Sequence, residues 1–317
     1  YIPFDALPRV FNPPSGRTIT ANNKIIPPGY PYFITDDWAP PYRARRIEDL
    51  IDAGQQSLAS SAAIQNDIMS LMVRELKPLM LKGIAGGGGY GKVLDRLRAW
   101  DGKMDRNLAE PLIFTAWVRE LGRAVYADEL KGLFPRYWDY RAPFLVSVLN
   151  NEPQWCDDVG TVEKESCGSR LALALDKAMK DLAKRFGSNK EKWTWGEAHQ
   201  ARFRHQIFSS VPVLGSLTGL AIAADGGQFT LNRGAGHLAN PVNPFEDIHG
   251  PGLRAIYDLS DLAASRFMIA TGQSGNPLSP HYRDMLEKWR DGKYFAIERP
   301  PQEPRGEKAQ TLRLVPG

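Results

Sequence analysis

The chain has 317 residues, 43% hydrophobic and 24% charged, with a formal net charge of +4. This is the composition of a folded chain rather than a disordered one, with room for one large domain or two ordinary ones. The charge is too small to mark a nucleic-acid surface, no run of five or six basic residues occurs, and no stretch of 18 apolar residues could span a membrane.

The first 43 residues are rich in Pro, Gly and aromatics. "RTITA" alternates and predicts a strand. "IPPGYPYF" and "DWAPPYR" read as extended or turned, because residues before proline avoid the α region. Asn22 and Asn23 follow the predicted strand. Asparagine is depleted in strands, since its amide competes for backbone hydrogen bonds. The pair is either a turn, or an amide held out at a strand end to bond something other than protein.

From Arg45 the pattern becomes helical. "RRIEDLIDAG" predicts a short helix stopping at Gly54. Ser60 to Leu76 predicts a second, with Ile64, Ile68, Leu71 and Met72 on one face and Pro78 ending it. A third is expected from Asn107 to Leu121, with Leu108, Leu112, Ala116 and Trp117 on one stripe. Cys156 and Cys167 bound a polar, acidic loop that should be exposed. They read as a disulfide formed in an oxidising compartment, or as two free thiols in a cytosolic loop. A fourth helix is predicted from Ser169 to Phe186, with Leu171, Leu175, Ala178, Met179 and Leu182 inward.

After "WTWGEAHQARFRH" the period shifts towards two. "LTGLAIAA", "QFTLN", "LRAIYDL" and "SRFMIAT" read as strands, "HYRDMLEKWRDG" as a late helix, and "KYFAIE" and "TLRLV" as final strands. The order is strand, helical insert, strands. It predicts an α+β fold with one sheet assembled from both ends of the chain. The expected division is 1–43 as sheet strands and an active-site loop, 44–195 as helical insert, and 196–317 as the closing strands and helix, all one discontinuous domain region.

Several motifs have ordinary readings. "GGGGYGK" at Gly86–Lys92 fits part of a phosphate-binding loop, but Val93 stands where the Mg²⁺-binding hydroxyl belongs and the preceding segment is helical, so a flexible loop is the simpler reading. Ser274 in "TGQSGNP" is not in a nucleophile-elbow frame and reads as a turn. His199, His205, His237, His249 and His281 show no metal-ligand spacing. Trp100, Trp193, Trp195 and Trp289 read as core anchors. Asp36 and Asp37, in a rigid Pro-rich loop, are either a weak Ca²⁺ candidate or solvated acids.

Six segments in order, "FNPPSGRTITANNKI", "YPYFITDDWAPPYRARRIEDLI", "IQNDIMSL", "WTWGEAHQARFRH", "ADGGQFTLN" and "TGQSGNPLSPHYRDMLEKWRDGKY", resemble the penicillin amidase family of N-terminal nucleophile hydrolases. The resemblance reaches from near Tyr1 to about Ile297. It implies part of an αββα sandwich with a helical insert, similar to the C-terminal part of a β subunit. It also implies a sheet left incomplete without upstream polypeptide, in a protein matured by autocatalytic cleavage and located in the periplasm or secreted. The expected activity is hydrolysis of an N-acyl amide, such as a β-lactam side-chain amide or an acyl-homoserine lactone. Its nucleophile would be an N-terminal Ser, with that residue's own α-amine as base. Tyr1 cannot be that nucleophile, so the chain alone is expected to be inactive, with the α subunit and the remainder of the β subunit as partners.

The family's oxyanion asparagine matches Asn22, with Asn23 the adjacent alternative, and its supporting arginine matches Arg43. Arg45 and Arg46 are expected at the surface or as helix anchors. No cofactor is implied for the chemistry. A structural Ca²⁺ is implied in some members, with Asp36 or Asp37 as a weak match. The competing expectation is a non-catalytic structural or interaction domain derived from such an enzyme.

Overall fold

A computed structural model describes residues 1–52, 54–84, 89–137 and 140–296. The fold is α+β: a large helical body carries two small antiparallel sheets, both built from the second half of the chain. Most of the "GGGG" run, the end of "KYFAIE" and all of "TLRLV" lie outside the described residues.

Residues 1–41 contribute a single 3-10 turn at Phe4–Ala6 and no strand. The alternation in "RTITA" survives as exposure: Thr18 and Thr20 face out, while Arg17, Ile19 and Ala21 are half-buried or buried. The segment is extended but has no ladder partner among the described residues, and an extended chain becomes a strand only by pairing. Among the described residues the expected sheet from both ends of the chain is therefore corrected to two sheets from residues 200–296.

Helix α1 runs Tyr42–Asp52, close to its expected place. The predicted helix from Ser60 to Leu76 is two, α2 (Leu58–Gln65) and α3 (Leu71–Gly83). The break arises because the backbone at 68–70 is used elsewhere. Met104 N donates to Ile68 O at 2.9 Å, and Ser70 N donates to Gly102 O at 3.1 Å. Ser70 then caps α3 by accepting from Val73 N at 3.3 Å. Pro78 lies inside α3 instead of ending it. Leu76 and Met80, fully buried on either side, hold the helix through the missing N–H.

Helix α4 (Gly91–Ala99) leads to α5 (Glu110–Leu130), which starts later and ends later than expected. Leu112, Ala116 and Trp117 are buried as predicted, while Leu108 stays outside the helix and is exposed. Arg119 and Glu120, which look like an exit to solvent, are both buried and pair with each other. A four-residue α6 (Phe134–Tyr137) and α7 (Ala142–Asn151) follow.

Helix α8 (Cys167–Phe186) buries all five of its expected inward residues. A Ser166–Ser169 capping box starts it, and Trp117 Nε1 donates to Leu171 O at 2.9 Å where α5 packs along it. Cys156 and Cys167 form the expected disulfide, with Cα atoms 5.0 Å apart. Cys156 is fully buried, however, because Arg170 folds beneath the loop and donates to Cys156 O at 3.0 Å.

After α9 (Trp195–Ala198), β1 (Gln200–Phe203) pairs with β2 (Leu220–Ala223), with the short α10 (Pro212–Thr218) between them. β3 (Leu253–Ile256) pairs with β4 (Arg266–Ile269), and β4 with β5 (Phe295–Ala296). "QFTLN" is a turn rather than a strand: Thr230 Oγ1 accepts from Gly227 N at 2.9 Å and donates to Asn232 O at 2.6 Å. The late helix is only α11 (Leu286–Arg290), preceded by a 3-10 turn at Pro280–Tyr282. One large core runs through the helical body and takes in Trp193, Trp195, Phe229 and Phe245, while Ala201, Ala224, Met268 and Trp289 form a small second core under the strands.

Candidate active site

The segment that begins as an extended chain at Arg17 turns sharply at Asn22, whose φ is +64°. Asparagine tolerates this left-handed backbone better than other residues with a β-carbon. The turn is fixed from two sides. Ala39 N donates to Asn22 O at 2.9 Å, tying it to the Pro-rich loop, and Asn23 Oδ1 accepts from Ala21 N at 3.0 Å. With Asn23 Nδ2 directed at Lys24 O, 3.3 Å away, the second asparagine is committed to its own turn.

Asn22 is held differently. Arg43, the second residue of α1, places Nη2 at 2.8 Å from Ala21 O and 2.9 Å from Asn22 Oδ1. A guanidinium has no acceptor, so the amide oxygen must face it and the Nδ2 donors must face away. The pair lines an open groove of about 600 Å³, together with Ile47, Ile64, Leu231 and Leu253. Among the described residues no carboxylate lines this groove. Burial is the main influence lowering the Arg43 pKa, and the neighbouring Arg233 adds to it. An arginine stays cationic through such a change, so the amide sits in a positive field.

The expected residues Asn22 and Arg43 are thus in direct contact, and of the two asparagines only Asn22 has an amide turned outward. Asp36 and Asp37 are exposed. Among the described residues no group of three or more His, Cys, Asp or Glu side chains could hold a metal. Two adjacent acids supply too few of the six to eight oxygens that Ca²⁺ takes, so these residues do not fit the ion by themselves.

Arg233 and the groove wall from β3 were not singled out in the sequence. Arg233 stands beside "QFTLN", but its proximity to Arg43 is a long-range contact with no local periodic signal. Ser274 is in a turn, as expected: its hydroxyl accepts from Asn276 N at 3.1 Å. The four tryptophans Trp100, Trp193, Trp195 and Trp289 are all buried. His205 accepts at Nδ1 from Ile207 N at 3.2 Å and Phe208 N at 3.1 Å, so its Nε2–H is the donor to Gly275 O at 3.0 Å.

The α+β arrangement is that of a solved acylase. A thermostable penicillin G acylase from Alcaligenes faecalis superposes on 99% of this chain and 60% of its own, with a TM-score of 0.61 at 17% identity. The family model for penicillin amidase matches residues 1–305, and the chain belongs to that family. Among its relatives are the acyl-homoserine lactone acylase QuiP of Pseudomonas syringae pv. syringae (strain B728a), 31% identical, and the penicillin acylase 2 proenzyme of Pseudomonas sp. (strain SE83), 32% identical. These alignments cover 99% and 92% of this chain, but it spans only 40% and 37% of the relatives' length.

Proposed function

We infer that this chain is the part of an amide-hydrolysing acylase that supplies the oxyanion donor. The observation that supports the reading is the double contact of Arg43 Nη2 with Ala21 O and Asn22 Oδ1, which turns Nδ2 away from Arg43 in a residue that lines the groove. A nucleophile attacking an amide carbonyl makes a tetrahedral centre whose oxygen gains a full negative charge. Donors already aimed at that oxygen stabilise it without reorganising. Asn22 Nδ2–H is such a donor, and the Arg43 cation behind it favours the charge that develops.

The nucleophile would be an N-terminal serine on the remaining polypeptide, activated by its own α-amine. That amine has an ordinary pKa of about 7.7–8.0 and can accept the hydroxyl proton near neutrality. The functional protein would then contain an α subunit and the rest of the β subunit. The relatives' names favour N-acyl substrates, either acyl-homoserine lactones or acylated β-lactams. The disulfide supports a periplasmic or secreted location. Among the described residues no helix is long and apolar enough to cross a membrane.

Substituting Asn22→Ala in the complete protein tests the assignment. Turnover of N-acyl homoserine lactones and acylated β-lactams should fall by about 10²–10³ in kcat, the usual cost of one oxyanion donor. Unchanged kcat would remove Asn22 from the mechanism.

A further inference from the structure

A second cavity, of about 30 Å³, lies away from the groove, between α3, α5 and the end of α9. Its walls are mostly apolar, with Met72, Met104 and Phe245 among them. A few polar side chains break that pattern. His199 and Thr115 both line the cavity and are 1% and 4% exposed, and His199 presents Nε2 without a hydrogen-bond partner among the described residues.

The tautomer of His199 follows from its other nitrogen. Nδ1 lies 2.7 Å from Phe245 O, a carbonyl that can only accept. Nδ1 therefore carries the hydrogen, and Nε2 presents a lone pair. Burial pushes the His199 pKa down to about 4, so the ring stays neutral near pH 7. Trp195 stacks on the ring at 4.2 Å and 15°, which fixes the direction of that lone pair.

The space near Nε2 exists because residue 234 is glycine: a β-carbon there would stand 2.3 Å from Nε2. Ser70 also lines the cavity; its Oγ accepts from Val73 N at 3.3 Å and retains a hydroxyl hydrogen to give. Tyr140 borders the same space and hydrogen-bonds with the Thr115 side chain, whose hydroxyl can still take part in a second bond. An unsatisfied buried polar atom costs about 1–3 kcal/mol, and one water needs about 10–15 Å³ of such space.

We propose that this cavity is a binding site for one ordered water, which donates to His199 Nε2 and bridges it to the Thr115 hydroxyl. The water would pin the junction of α9 and β1 to α5, and so support the 226–236 segment that carries Arg233 beside the groove. The site is independent of the acylase reading.

The test is a high-resolution crystal structure of the protein, with a second crystal pressurised with xenon. The expected result is a solvent peak within hydrogen-bonding distance of both Nε2 and Oγ1, and no xenon. Xenon density, or a cavity with no peak, overturns the proposal, since dry apolar cavities take up xenon. ¹⁵N-histidine NMR gives a second measurement: the Nε2 resonance of His199 should show a hydrogen-bonded acceptor, and the position of a free lone pair would sink the bridge.

Discussion

Arg46 grips Asp67 with two parallel bonds, Nε to Oδ1 at 2.9 Å and Nη2 to Oδ2 at 2.7 Å. The contact joins α1 to the break between α2 and α3, where Asp67 Oδ1 also accepts from Met69 N at 3.2 Å. Asn232 N donates to Asp67 O at 2.9 Å, which brings in the residue before Arg233. Asp67 thus ties the helix bearing Arg43, through its carboxylate, to the loop bearing Arg233, through its backbone carbonyl. Both partners are mostly shielded, with side chains 18% and 17% exposed. Asp67→Ala should cost about 2–3 kcal/mol of stability, between the values for exposed and fully buried pairs. Urea unfolding checks this, and a loss below about 0.5 kcal/mol would place the pair among ordinary surface contacts.

Arg43 is the sharper test of the candidate site. Lysine at this position keeps the charge but presents one ammonium point instead of a planar fork. Arg43→Lys should leave KM nearly unchanged and lower kcat by about 10- to 100-fold, the scale of a lost charge-assisted hydrogen bond of about 1.5–3 kcal/mol. A change in KM alone would mean that Arg43 contacts the bound substrate and does not act by orienting Asn22.

Two buried groups should make stability depend on pH in opposite directions. Burial pushes the Asp247 pKa up to about 6 and that of His199 down to about 4. The folded state prefers neutral Asp247. Its contribution is present below the unfolded value near 3.8 and is lost as pH rises through about 6. The folded state also prefers neutral His199, whose contribution is full above about 6.5 and is lost as pH falls towards about 4. In the wild type these trends partly cancel between pH 4 and 6. Asp247→Asn removes one of them, so the variant should gain stability relative to wild type as pH rises through that range. The gain should be on the order of 2–3 kcal/mol, at about 1.4 kcal/mol per unit. Parallel urea titrations at several pH values measure it, and a difference that does not vary with pH would refute the assignment to Asp247.

The legible parts of the fold share a physical feature. Helix α8 has one buried and one wet face, so its five inward residues stand out at helical spacing. The first half of α5 is buried nearly all round, which erases the period, and Arg119 bonds Leu238 O at 2.9 Å instead of reaching water. "RTITA" alternates correctly, but alternation does not reveal whether a partner strand is present. The Asn22–Asn23 pair stood out locally only as a turn or an outward amide, and the candidate roles of Asn22 and Arg43 came through the resemblance carried by six ordered segments, because a helix-start arginine is unremarkable alone. The β3 wall of the groove, Arg233 and the His199 cavity depend on contacts between distant segments, and no local pattern encodes those.

Cys156 and Cys167 are separated by 11 positions, and closing a loop of this size contributes about 3 kcal/mol in the chain-entropy model. The enclosed loop is also held by charge. Arg170 Nη2 lies 2.9 Å from Asp158 and 3.5 Å from Glu165, and the guanidinium lowers the pKa of the Asp158 carboxyl. Those ion pairs act on the folded loop, whereas the disulfide acts mainly by restricting the unfolded chain. Replacing both cysteines with serine should therefore leave Arg170 in place and lower the melting temperature by several degrees, on the order of 2–4 °C per kcal/mol for a chain this large. Reducing the wild type should give the same shift, while reducing the double variant should give none. If thiol reduction left the wild-type melting temperature unchanged, the cross-link would carry no stability and the ion pairs alone would hold the loop.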